Sequence, residues 1–247
     1  MSDVLATDNN QGTVTRVQWT AAKVAGAITA GTILVLFPII ALLQTKIFSD
    51  ASMIQNIDRL INNEFLFRLS IVTDTLMYLS VVVLGWAFYV MLRPVSRSYA
   101  MLGLVLRTVE AMVGMLGVMA GITILILLTN NDFSSSYSSV QAAGAISVLR
   151  DFQDAVNKII PVFLSTGAVT FYLLFRKTNY IPRFLANAGV VAYSLVFANA
   201  MLTLLVPDFA RLVALPLALP VVAFEFTIGI WLFTKGLRGR RVASVKS

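Results

Sequence analysis

The sequence predicts an all-α, polytopic membrane protein with six transmembrane helices and both termini in the cytoplasm. Three observations carry that expectation. Of 247 residues, 58% are apolar and only 13% charged, whereas a soluble domain is about half apolar and about a quarter charged. Mean hydropathy is +0.83. The apolar residues gather into six runs, at 22–43, 69–92, 100–128, 148–175, 184–205 and 212–234. Each is long enough for the ~30 Å hydrocarbon core, which needs about 20 helical residues. The fourth reaches that length by starting in the polar stretch before Ile159.

The third observation is the placing of charge. Arg16, Lys23, Arg93, Arg97, Arg176, Lys177, Arg183, Lys235, Arg238, Arg240, Arg241 and Lys246 fall on the side of the N-terminus, and Lys46, Arg59, Arg68, Arg150, Lys158 and Arg211 on the other. Basic residues in short loops stay in the cytoplasm, so both termini are expected there, in a prokaryotic plasma membrane. The same placing accounts for the net charge of +7. The expected partner of these charges is the anionic lipid headgroup rather than nucleic acid. A homodimer or a larger membrane complex is the other partner the chain allows.

Each element follows in order. Residues 1–20 form a polar cytoplasmic segment, and the first span is too long for a cleavable signal. Between spans one and two, Ile54, Ile57, Ile61 and Phe65 recur at helical spacing. They suggest a short helix in the outer interface or a connector that buries a few hydrophobes. Pro94 and Pro182 stop helices in the two tight cytoplasmic connections, making spans two and three, and four and five, antiparallel neighbours. Residues 129–139 are rich in Ser and Asn and read as a loop. Pro216 and Pro220 predict a kink or an irregular start to helix six. Residues 237–247 form a basic tail, expected to be disordered.

With no cysteine and no histidine, zinc sites, iron–sulfur clusters, His- or Cys-ligated haem, Ser-His-Asp triads and thiol chemistry are all excluded. No cofactor and no metal site are expected. The residues that stand out are charges inside spans, which face a bundle interior and find partners there. Arg107, Glu110 and Glu225 share a level near mid-membrane. Asp74 and Lys158 share one nearer the outer face, where they read as a neutral pair. Tyr78 accompanies Asp74 on helix two, and Asn199 is available on helix five. On helix three, Gly103, Arg107, Glu110, Gly114, Gly117 and Gly121 are spaced 4, 3, 4, 3, 4, one seam along which glycines let a neighbouring backbone approach. The inner level holds one cation and two carboxylates. A proton, a bound cation or a ligand donor is needed to complete it, unless the charges only fix helix register.

Several runs resemble the domain-of-unknown-function 4386 (DUF4386) family of small prokaryotic membrane proteins. They are Asn63-Glu64-Phe65-Leu66-Phe67-Arg68-Leu69 leading to Asp74, Leu92-Arg93-Pro94-Val95-Ser96-Arg97, and Arg107-x-x-Glu110. Ile181-Pro182-Arg183-Phe184-Leu185 and Glu225 with Trp231-Leu232 and Lys235-Gly236 complete the set. The resemblance implies an integral membrane protein with no activity attached. It also implies that Arg68, Asp74, Arg107, Glu110 and Glu225 stand at family-typical positions. The function expected from the residues is binding or transport of a small or lipid-like ligand at the Arg/Glu cluster. The alternatives are a structural or regulatory subunit of a membrane complex, or an intramembrane acid/base enzyme using paired carboxylates.

Overall fold

A computed structural model describes residues 13–47, 59–129 and 138–241. Helix α1 (Arg16–Gly31) runs through a π-helical turn, Thr32–Leu36, into α2 (Phe37–Ile47). There follow α3 (Glu64–Leu92), α4 (Arg97–Thr129), α5 (Ser139–Arg176), α6 (Arg183–Leu205) and α7 (Pro207–Thr234). Counting α1 and α2 as one, six helices among the described residues are long and apolar enough to cross a membrane. The readings made on Ile54 and Ile57, on the Ser/Asn-rich loop and on most of the basic tail lie outside the described residues.

Local chemistry explains where helices start. Thr15 and Gln18 form a reciprocal capping box at α1, as do Ser138 and Gln141 at α5, each satisfying orphan N–H groups of a first turn. The Ser138 box is why α5 begins well before its apolar run. Residues 59–62 are helical, with Leu60 buried while Ile61 and Phe65 are exposed. In place of the expected irregular start, α7 is helical from Pro207 and continues through Pro216 and Pro220. Each proline removes only one helical hydrogen bond, and membrane helices tolerate such losses.

Burial is inverted relative to a soluble bundle. On α3, Leu69, Val72, Leu76, Leu79, Val83 and Trp86 are all exposed at 3,4-spacing, a stripe suited to hydrocarbon. The opposite face of the same helix buries Ser70, Thr73, Tyr78 and Gly85. The helices stand in a closed ring in which each packs against the next in sequence, and α7 returns to pack against α1. Helices α3 and α5, on either side of α4, touch only lightly. Inside one half of the ring is an aromatic core: Phe88 meets Phe171 and Phe175 edge-on, and Tyr172 stacks on Tyr193 at 5.7 Å.

The first and last described segments meet at one end of the ring. Thr13–Val14 pairs in parallel with Arg240–Arg241. Gln18 Nε2 donates to the Met91 carbonyl at 3.0 Å, and the Arg238 N–H to the Tyr180 carbonyl at 2.7 Å. Gly236 has φ of +65° and carries the Trp19 indole against its Cα. A side chain there would be strained by the left-handed backbone and would collide with the ring.

Candidate functional site

Arg107 lies ten residues into α4, at about 15 Å along its axis, and Glu225 nine residues from the end of α7, at about 14 Å. These depths place both near mid-span. The Arg107 stem runs through a slot made by two glycines. A Cβ at Gly85 of α3 would be 3.0 Å from Arg107 Cβ, and one at Gly167 of α5 would be 3.2 Å from its Cδ. The guanidinium reaches Glu110 on its own helix, Nη1 to Oε2 at 2.6 Å, with both side chains buried. That contact is a close charge pair rather than an aligned hydrogen bond, and Oε2 has no aligned donor. Glu225 is engaged separately: the Tyr193 hydroxyl of α6 donates to its Oε1 at 2.5 Å.

Arg107, Glu110 and Glu225 line one interior cavity of about 290 Å³, together with Tyr78, Tyr172 and Tyr193. Thr29 and Thr32 line it from the helix-one side, where the π turn begins. A second, more open cavity of about 590 Å³ is lined by Asp154, Lys158, Asn199 and Thr203. Phe37, Asn157, Leu164 and Glu225 belong to both walls. Glu225 therefore stands at the junction of an inner chamber and an outer vestibule. The π turn is the device that shapes this junction. Pro38 has no N–H for the Leu34 carbonyl, the Phe37 N–H reaches back to Thr32, and the widened turn sets Phe37 at the junction.

The residues singled out in the sequence are distributed as follows. Arg107, Glu110, Glu225 and Tyr78 meet at the inner chamber; Lys158 and Asn199 line the vestibule. Asp74 lines neither, and among the described residues no ion pair joins it to Lys158. The two residues share a depth, but α4 stands between their helices, so the expected neutral pair does not form. The glycine seam is also corrected. Phe171 packs where a Cβ at Gly103 would stand, and the Tyr78 ring packs on Gly114. Gly121 faces Gln153 and Ile71, while Gly117 meets only Val156 and receives a hydrogen bond on its carbonyl from Gln153 Nε2 at 2.8 Å. The seam admits rings and one amide rather than a backbone. Backbone-to-backbone approach occurs instead between α1 and α7, where Gly26 abuts Gly229, Leu232 and Phe233.

Sequence reasoning missed Tyr193, the slot glycine Gly167, the π turn and Gly26. A signal existed for two of them: Pro38 inside the first span, and Ala22, Gly26 and Ala30 spaced by four.

With six bilayer-length apolar helices among the described residues, the chain is of the multi-pass membrane class, here with charged side chains turned to its centre. Residues 24–236 match the family described as Domain of unknown function (DUF4386), and the chain belongs to that family. No curated protein and no solved structure matches it.

Proposed function

We propose that this chain binds or transports a small or lipid-like ligand at the chamber walled by Arg107, Glu110 and Glu225. One observation carries the reading: three ionisable side chains from two helices line one space, and while Arg107 pairs with Glu110, Glu225 stands outside that pair. Buried charges that serve only register close up with partners and satisfy their remaining hydrogen bonds. Here the third charge, Glu225, is joined only to a tyrosine. Polar groups facing a cavity within a bundle mark ligand and ion pathways. The vestibule supplies a way in, with Lys158 and Asp154 at its wall.

The reading places the protein in a prokaryotic plasma membrane with the paired segments Thr13–Val14 and Arg240–Arg241 on the cytoplasmic face. At that end a groove of about 580 Å³ combines Tyr99, Leu102 and Leu173 with Arg176 and Lys177. This combination suits an acyl chain under an anionic headgroup.

The test is native mass spectrometry of the protein extracted gently from its own membrane, beside a Leu164→Trp variant. Leu164 lines both cavities, so the larger ring fills the junction. A defined small molecule bound to the wild type and absent from a folded Leu164→Trp supports the reading. A stoichiometric protein partner with no small molecule replaces it with a subunit role.

A further inference from the structure

We infer that the ligand class of this chamber is an organic cation: a protonated amine on a small apolar or aromatic body, with Glu225 as its charge partner. The inference rests on the binding reading above and adds the sign and kind of the ligand.

Charge decides the sign. Arg107 is engaged by Glu110 at 2.6 Å, so that pair is neutral and its guanidinium has a carboxylate already. Glu225 joins no ion pair among the described residues. It accepts one hydrogen bond, from Tyr193, out of the roughly four that a carboxylate takes. A ligand carboxylate or phosphate could reach the remaining guanidinium N–H groups only beside two glutamates that line the same chamber. An ammonium group meets an arginine already paired with Glu110 and a Glu225 that stands outside that pair.

Hydrogen-bonding capacity points the same way. Acceptors with unused capacity line these two cavities. Asn199 Oδ1 is buried with no donor, and Glu225 has lone pairs beyond the one that Tyr193 fills. Pro161 lies inside α5 and cannot donate to the carbonyl of Asn157, a residue of both walls. An ammonium supplies three donors and no acceptor. A bare metal ion fits less well, since no three acidic side chains gather to hold one among the described residues.

The walls decide the kind. Tyr78, Phe88, Tyr172 and Tyr193 line the chamber beside Leu84 and Ile228. Aromatic walls attract a cation and accept an apolar body. At about 290 Å³ the chamber is at the lower end of ligand sites, which run from about 300 to about 1,000 Å³. A compact amine fits it better than a whole lipid.

The experiment is thermal unfolding of the full chain in lipid nanodiscs with three probes of one shape: phenethylamine, phenethyl alcohol and phenylacetate. At saturating concentration phenethylamine is expected to raise Tm by about 3 °C or more. The alcohol and the acid are expected to leave it unchanged, and Glu225→Gln to abolish the amine's effect. Tyr193→Phe keeps the carboxylate and removes its internal donor, so the amine's shift should grow in that variant. This second variant decides the matter should Glu225→Gln fail to fold. Stabilisation by the acid or the alcohol in place of the amine overturns the inference and leaves the binding reading standing. No shift with any probe, or an amine shift indifferent to Glu225→Gln, also overturns it. The mass-spectrometric comparison with Leu164→Trp then decides the binding reading on its own.

Discussion

A lone charge near the middle of a bilayer costs about 2.5–3.5 kcal/mol on insertion scales, and Arg107 avoids most of that through Glu110 one turn along. Its stem needs room as well, which Gly85 and Gly167 supply from the helices on either side. Arg107→Ala should therefore destabilise by about 3–5 kcal/mol, because it strands a buried carboxylate. Replacing both partners, Arg107→Met with Glu110→Gln, should recover most of the loss. A double-mutant cycle read by thermal unfolding in one detergent checks this, and a harmless Arg107→Ala would sink it. On sequence alone, Glu225 is as good a candidate for the compensating partner as Glu110. Spacing along α4 puts Arg107 and Glu110 on one face, but no sequence signal says that Tyr193 already holds Glu225. Aromatic residues in apolar runs are too common to announce which of them turns inward.

At the level of helices, glycines that look alike in the sequence do different work. Gly26 of α1 lies against the backbone of α7, and a Cβ there would overlap main-chain atoms that cannot rotate away. Gly26→Ala should cost about 1–3 kcal/mol or more through overpacking. At Gly117 the nearest foreign atom is Val156 Cγ1, 3.4 Å from where a methyl would stand, and at Gly31 there is none within 4 Å. Gly117→Ala should be near neutral, and Gly31→Ala should stabilise by up to about 1 kcal/mol through helix propensity. The order of the three melting temperatures is the check, and a costly Gly31→Ala would contradict this packing. The six helices themselves were legible because a bilayer demands unbroken apolar runs. The π turn and the true points of close approach were not. Both depend on which faces meet, and periodicity reports only that faces exist.

For the molecule as a whole, the absence of cysteine makes topology directly measurable. The single substitutions Ser96→Cys, Thr178→Cys and Lys235→Cys should all react with a membrane-impermeant maleimide from one side of the membrane. Thr45→Cys should react from the other. Labelling at positions 178 and 235 from opposite sides would contradict the hydrogen bond from the Arg238 N–H to the Tyr180 carbonyl. The polar centre was legible as a level, from counting residues inward along each span. It was not legible as a space, since whether charges converge on a cavity or close on each other depends on ring order.

That ring order bears on how the protein is made. Each helix finds its neighbour as soon as the next one emerges from the ribosome, so helices can settle pairwise during synthesis. One contact cannot form that way: α1 meets α7 only after every other span is in place. Until then the glycine face of α1 is open to lipid or to insertion factors, and the chamber lacks the wall that carries Glu225. The last helix to be synthesised thus both closes the ring and brings in the carboxylate, and a chain stopped before it would reach the membrane as five helices with no site.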